Sequence, residues 1–216
     1  MGHLGATVDS RSGIERTAIK FLPVEWCAQA PVELFLELRN RIDWRDIEAI
    51  DVFGYEFLYN EIGGGRNDGP EKWDPKTRET ADHSLAYILA VTLVDGEISL
   101  ESFDLERVED PALRPLMQKI SVSVDPATLE LEAPRQPVRF EICLKNGDII
   151  EEACEYPFGH PMNPAGSAMV SEKFMALAER TVDADAAVDL LSILRELADD
   201  SDLGQLTNAT RKLPVH

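Results

Sequence analysis

The sequence predicts an α+β fold, a two-layer sandwich of a small, mainly antiparallel sheet with several helices. Strand-type and helical segments follow one another without the regular alternation of a parallel α/β sheet, which favours two separate layers. Two strand-type runs flank Asn146-Gly147, and this dipeptide is the strongest short signal for a β-hairpin. One almost wholly apolar stretch, residues 85–94, predicts a helix that is buried rather than laid on a surface.

Length and composition are those of a soluble globular protein. The chain has 216 residues, of which 44% are hydrophobic and 28% are charged, so it is long enough for a full core. We divide it into an irregular lead-in at residues 1–16, an α+β domain at 17–200 and a polar tail at 201–216. No internal repeat is present.

Charge and cysteine content argue against several classes of function. A net charge of −19 disfavours nucleic acid and anionic membranes as partners, since both bind basic surfaces. No apolar run approaches the roughly 18 residues that a membrane-spanning helix needs. Three widely separated cysteines, Cys27, Cys143 and Cys154, favour a reducing compartment, with the cytoplasm as the default, and no closed zinc or iron–sulfur site.

The segments before the central helix are predicted to be a strand, a helix and a second strand. Residues 17–24 form a short β-type run that carries Lys20. Residues 30–42 have the apolar spacing of an amphipathic helix. Residues 46–59 predict a strand with a kink at Gly54.

The segments after the central helix complete the sheet and add two helices. Residues 120–124 alternate between apolar and polar side chains and predict a strand. Residues 138–144 and 148–156 are the two arms of the hairpin. Residues 171–180 and 184–198 predict amphipathic helices.

The central helix is predicted to begin at a polar cap and to end at a glycine. Either Thr80 or Asp82 can cap its first turn, because short polar side chains accept hydrogen bonds from free N–H groups. Gly96 suits the left-handed residue that follows a helix end. His83 and Tyr87 are four residues apart and therefore share one face of the predicted first turn.

Four polar side chains meet at the predicted start of this helix: Arg78, His83, Ser84 and Tyr87. An imidazole and a phenol can exchange protons with a ligand, and the positive end of a helix dipole favours a bound anion. An ordinary core helix with a capped polar end would carry the same residue types. Both interpretations remain open on these residues alone.

The stretch KWDPKTRETADHSLAYILAVTLVDGEISLESFD resembles the MmgE/PrpD family, of the 2-methylcitrate dehydratase type. Three further stretches resemble the family in the same order and spacing: IKFLPVEWCAQAPVELFLELR, PALRPLMQKISVSVD and YPFGHPMNPAGSAMVSEKF. The four stretches together extend over most of the predicted α+β domain. The central one is the most specific.

The resemblance implies the family's smaller α+β domain, which caps a larger all-helical domain, with the active site between the two. It also implies a lyase that needs no metal and no other cofactor and removes water from a hydroxy tricarboxylate. Lys20, His83 and Tyr87 match the family's catalytic residues. The substrate-binding residues that it implies are Arg78, Ser84 and His160, the last in a Gly-His turn.

Two positions depart from the family pattern, since Cys27 stands where His is common and Ala86 stands where Pro is frequent. The all-helical domain does not fit into residues 1–16, so we expect it on a partner chain, unless this chain is a fragment or a lid-only descendant. We also expect an oligomer and a small polycarboxylate substrate. The alternatives are a decarboxylase or epimerase of a related acid, and a non-catalytic lid or binding subunit.

Overall fold

A computed structural model describes the following residues of the chain: 13, 17–131, 135–197 and 203–211. The chain forms two compact units, Met1–Pro164 and Ala165–His216. The first unit contains the sheet, and the described part of the second is helical. The predicted α+β class is confirmed. The predicted lead-in, except for residue 13, lies outside the described residues.

The first unit is built on a four-stranded sheet with the order β2–β1–β3–β4. Its strands are β1 (Ile47–Gly54), β2 (Ile120–Val124), β3 (Val138–Leu144) and β4 (Ile149–Cys154). β1 pairs in parallel with β2 and antiparallel with β3, and β3 pairs antiparallel with β4. The sheet is therefore mainly antiparallel, as predicted, and its β3–β4 hairpin lies where the sequence places it.

Helices cover one face of this sheet. The helices of the first unit are α1 (Gln29–Arg39), α2 (Glu56–Ile62), α3 (Gly69–Trp73), α4 (Arg78–Asp82), α5 (Leu85–Asp95), α6 (Leu105–Val108) and α7 (Arg114–Met117). α1 packs against α5 and reaches the sheet through Phe35, whose ring centre lies 4.9 Å from that of Phe140 on β3. Ile50 and Val52 of β1 are fully buried on this face.

α5 is the buried centre of the first unit, as the sequence predicts. Every residue from Leu85 to Leu93 is buried, because the segment has no polar face to present to solvent. Gly96 follows the helix in the left-handed conformation, with φ at 79°. The Arg39 guanidinium donates through Nε to the Leu93 carbonyl at 2.8 Å, so α1 helps to satisfy the end of α5.

The start of α5 differs from the prediction. Neither Thr80 nor Asp82 caps it, because both belong to a separate short helix, α4, which is capped by Thr77. Ser84 caps α5, and its Oγ accepts a hydrogen bond from the Tyr87 N–H at 3.0 Å. The polar residues before α5 thus form a separate helix, α4, and α5 has its own cap at Ser84. The sequence had predicted a single helix start there.

The predicted strand at residues 17–24 is wrong. The backbone N–H groups of Phe21 and Leu22 donate to the side chain of Gln29, at 3.2 and 3.1 Å, and not to a neighbouring strand. A side chain from α1 therefore takes the hydrogen bonds that a sheet would have used. No local pattern shows this competition.

The second predicted strand, at residues 46–59, is correct only as far as Gly54. α2 begins at Glu56, and its Leu58 is fully buried. A short apolar run fits a buried strand and a buried helix equally well, so hydrophobic spacing alone could not place this boundary.

The second unit contains three described helices: α8 (Ser167–Ala178), α9 (Ala184–Glu196) and α10 (Gly204–Arg211). The first two confirm the predicted amphipathic helices, and α10 lies in the segment predicted as a polar tail. Ala187 is the only fully buried hydrophobic residue that this described part contains. Across the described residues of both units, no helix has the length and apolar character needed to span a membrane.

Candidate active site

Lys20 lies on an extended segment that runs beside the turn carrying His160. The Ile19 N–H donates to the Gly159 carbonyl at 3.0 Å and holds the two segments together. Lys20 is exposed, and its Nζ donates to the Val24 carbonyl at 3.0 Å. An ammonium has several donors and a neutral carbonyl does not cancel its charge, so Lys20 suits a carboxylate ligand.

His160 is a buried imidazole with a fixed tautomer. It is 5% exposed and stacks on Tyr156, with 4.7 Å between ring centres. Its Nδ1 accepts a hydrogen bond from the Met162 N–H at 3.0 Å, so the neutral ring carries its proton on Nε2. Burial lowers the pKa of His160, which keeps the ring neutral and makes Nε2 a hydrogen-bond donor.

His83 lies at the junction of α4 and α5 and has the opposite tautomer. Its Nδ1 is 3.2 Å from the Glu79 carbonyl and 3.7 Å from the Asp82 carboxylate. Both of these oxygens only accept, so Nδ1 carries a proton, and in the neutral ring Nε2 holds the lone pair. The side chain is 46% exposed, and Nε2 can therefore act as a general base. Arg78, also exposed, begins α4.

Ser84 and Tyr87 are enclosed in the core and do not face an open anion site, which corrects their predicted placement. Both are fully buried, because they belong to the start of a helix with no polar face. The Ser84 hydroxyl donates to the Lys72 carbonyl, and the Tyr87 hydroxyl donates to the Ser102 carbonyl at 2.5 Å. Burial raises the pKa of Tyr87 to about 12.

Several polar contacts lie in and beside the core near the start of α5. The Cys27 thiol shares a hydrogen bond with the Tyr55 hydroxyl, and burial raises the pKa of both groups above their usual values. Tyr55 precedes α2, and the Glu61 carbonyl near the end of that helix accepts a hydrogen bond from Lys72 Nζ at 3.0 Å. The Lys72 carbonyl in turn accepts the Ser84 hydroxyl.

Lys72 is a buried charged residue that no pattern in the sequence indicates. It is 7% exposed, and its ammonium lies 3.4 Å from the Asp68 carboxylate on the preceding turn. Buried lysines are uncommon and are paired when they occur. The available signal was an Asp–Lys pair four residues apart, which is too common on exposed helices to indicate burial.

The structure groups the predicted residues in two places. Lys20 and His160 each follow a residue of the Ile19–Gly159 backbone hydrogen bond, and Arg78 and His83 occupy the α4–α5 junction. Among the described residues, no hydrogen bond or ion pair joins these two groups directly, and Tyr87 is exposed at neither. Within the same residues, no three side chains of His, Cys, Asp or Glu come close enough together to hold a metal ion.

The fold and these groups define an α+β domain that presents a lysine, an arginine and two histidines of opposite tautomer, a set suited to acid–base chemistry on an acidic ligand. The chain belongs to the MmgE/PrpD family, since the model of the MmgE/PrpD C-terminal domain matches residues 22–199. The family predicted from the sequence is therefore confirmed. The match begins just after Lys20 and contains both histidines.

Two kinds of relative are similar to this chain. Cis-aconitate decarboxylase of Mus musculus is 27% identical over 140 residues, which cover 62% of this chain and 27% of the relative. 2-Methylcitrate dehydratase of Cupriavidus necator is 27% identical over 164 residues, which cover 70% of this chain and 32% of the relative. The matched part of this chain thus spans about a third or less of each relative's length.

Proposed function

We propose that this chain is one part of a lyase of the 2-methylcitrate dehydratase type, which removes water from a hydroxy tricarboxylate by acid–base chemistry. The observation that carries the proposal is the state of His83 within the matched family region. Its Nδ1 proton points to the Glu79 carbonyl, the Asp82 carboxylate lies 3.7 Å from the same nitrogen, and the neutral ring can accept a proton at Nε2. Removal of a proton beside a carboxylate needs such a base.

Lys20, Arg78 and the buried His160 also have roles in this reaction. The ammonium of Lys20 and the guanidinium of Arg78 bind carboxylates of the substrate. They also offset the negative charge that grows on the enediolate-like intermediate once the proton has left. His160, neutral and protonated on Nε2, donates a hydrogen bond to a carboxylate or to the hydroxyl group.

Tyr87 enters the proposal as the general acid that protonates the departing hydroxyl group. A phenol with a raised pKa is fully protonated at neutral pH, which suits this role. Its hydroxyl is bonded to the Ser102 carbonyl, so it must exchange that partner for the substrate in order to act. Tyr87 therefore acts only after a local rearrangement at the start of α5.

The complete site requires an all-helical domain, which we place on a partner chain. The relatives extend well beyond the part that this chain matches, which supports a further domain in the complete enzyme. The second unit also exposes apolar side chains that suit a contact with another protein. Among the described residues they are Met169, Leu177, Val188, Leu194 and Leu203. The oligomer and the cytoplasmic location expected from the sequence stay predictions.

Two alternatives have an observation in their favour. The similarity to cis-aconitate decarboxylases of Mus musculus and Homo sapiens favours loss of carbon dioxide from a related acid. Epimerisation would use the same base. A non-catalytic lid or binding subunit is favoured by the buried Tyr87 and by the inert, buried thiol of Cys27.

The test is an assay of the chain together with an all-helical MmgE/PrpD chain encoded beside it. Loss of water from 2-methylcitrate is followed by the ultraviolet absorbance of the new double bond, and loss of carbon dioxide is measured in parallel. We expect His83→Asn to lower the rate by about 100-fold or more, because a positioned base contributes a factor of that order.

The matched control compares two exposed lysines. Lys20→Ala should raise KM and lower kcat, whereas Lys145→Ala, in the exposed hairpin turn, should leave both unchanged. Turnover that survives His83→Asn would contradict the proposed base. Release of carbon dioxide without loss of water would identify a decarboxylase. If no hydroxy tricarboxylate gives either product, the non-catalytic binding subunit is the remaining alternative.

A further inference from the structure

Two polar side chains of α1, Gln29 and Glu33, have no part in the proposed chemistry. They are four residues apart and thus lie on the same side of the helix, one turn from each other. Each of them forms hydrogen bonds with the backbone of a different loop. One of these loops carries Lys20, and the other carries His160.

Gln29 holds the Lys20 segment with four hydrogen bonds. The side chain is fully buried, and its Oε1 accepts from the N–H groups of Phe21 and Leu22. Its Nε2 donates to the Leu22 carbonyl at 2.9 Å and to the Val24 carbonyl at 3.3 Å. The Val24 carbonyl also accepts Lys20 Nζ, so Gln29 and the ammonium share one acceptor.

Glu33 holds the His160 turn. Both of its carboxylate oxygens accept from the Phe158 N–H, at 3.1 and 3.0 Å. Burial raises the pKa of Glu33, while the Phe158 N–H opposes that shift by stabilising the charged form. The Phe158 ring lies 4.7 Å from the ring of Phe21, so the segments held by the two side chains also pack on each other.

The backbones of the two segments approach so closely that one residue must be glycine. Gly159 has φ at 85°, and a Cβ added there would overlap the Ile19 carbonyl oxygen. The Ile19 N–H donates to Gly159 at the same place. Backbone contact therefore fixes the spacing of the two segments that carry Lys20 and His160.

We infer that Gln29 and Glu33 are positioning residues that hold Lys20 and His160 as one carboxylate-binding surface. The inference rests on the proposed function, because it concerns how that site receives its acid. A lysine on a loose loop would lose conformational freedom on binding, and a loop already fixed from α1 avoids most of that loss. Neither Gln29 nor Glu33 has to touch the ligand.

The test is competitive acetylation of lysines with acetic anhydride, with and without citrate, on the chain assembled with its all-helical partner. The extent of acetylation at Lys20 is read by mass spectrometry relative to the exposed Lys145. Gln29→Ala and Glu33→Ala are compared with Glu37→Ala, which removes an exposed carboxylate from the same helix.

We expect citrate to protect Lys20 in the wild type and in Glu37→Ala. The citrate concentration needed for half protection should rise about fivefold in Glu33→Ala, the size expected for one lost hydrogen bond, and at least as much in Gln29→Ala, which loses four. The melting temperature of each variant is measured to check that the variant is folded. If Gln29→Ala does not fold, Glu33→Ala decides, because it breaks only the contact with Phe158.

The outcomes separate the inference from the function on which it rests. Equal protection by citrate in all folded variants overturns the inference and leaves the proposed site intact. If citrate does not protect Lys20 in the wild type, Lys20 does not bind a carboxylate of the ligand. The proposed function and the inference are then both contradicted. If Glu37→Ala also loses the protection of Lys20 by citrate, the effect comes from the charge of α1 in general. This result would overturn the positioning role of Gln29 and Glu33.

Discussion

Replacing Ser84 by alanine tests whether this residue is a structural cap or a substrate ligand. Its hydroxyl accepts the Tyr87 N–H and donates to the Lys72 carbonyl, both inside the core. Loss of the cap costs about 1 kcal/mol. The Lys72 carbonyl, left buried without this donor, adds about 1–3 kcal/mol, so we expect Ser84→Ala to lower the free energy of unfolding by roughly 2–4 kcal/mol.

Thr77→Ala is the matched control, because Thr77 caps the exposed helix α4 and its loss should cost at most about 1 kcal/mol. Urea unfolding followed by tryptophan fluorescence is the assay. All three tryptophans, Trp26, Trp44 and Trp73, belong to the first unit, so their signal reports that unit. A loss in Ser84→Ala no larger than that in Thr77→Ala would refute the buried cap and return Ser84 to the list of substrate ligands.

Three further predictions concern the same core. Gly96→Ala should destabilise the first unit more than Gly147→Ala in a urea titration, because both glycines have positive φ but only at Gly96 would a Cβ overlap Arg39; equal losses would contradict that contact. Burial raises the pKa of Tyr87 from 10.0 to about 12, so the stability from its neutral form is complete below pH 10 and falls as the pH rises toward 12. Tyr87→Phe should reduce this alkaline loss in unfolding curves, and an unchanged pH profile would contradict the assignment. The buried Cys27 thiol should react with Ellman's reagent only after unfolding, and immediate reaction of every thiol in the native protein would contradict its burial.

The parts of the fold that the sequence predicts correctly are those specified by neighbouring residues. Residues 85–94 have no polar face, and Asn146-Gly147 sets a hairpin turn without help from the rest of the chain. Gly96 ends α5 for an equally local reason. These features need no knowledge of distant partners.

The errors arise where residues outside the predicted segment decide its structure. Residues 17–24 have strand-like spacing, but Gln29 takes their backbone hydrogen bonds. Ser84, Thr80 and Asp82 are all good caps, and the choice among them depended on a short helix that no hydrophobic period reveals.

The residues of the candidate site stay predictions, and the structure agrees with their expected placement only in part. The exposed His83 and the paired segments that carry Lys20 and His160 agree with a site for an acid, although the family resemblance and not the spacing had pointed to Lys20. The burial of Tyr87 and of Lys72 depends on how α3, α4 and α5 pack, which no single segment encodes.

The central claim is that His83 removes a proton beside a substrate carboxylate, and isotope exchange tests it most directly. The assembled enzyme is incubated with 2-methylcitrate in deuterium oxide, and deuterium in the recovered substrate is measured by mass spectrometry. We expect the wild type to introduce deuterium at the carbon beside the carboxylate and His83→Asn to lose this exchange by about 100-fold or more. Exchange at the wild-type rate in His83→Asn would contradict the account.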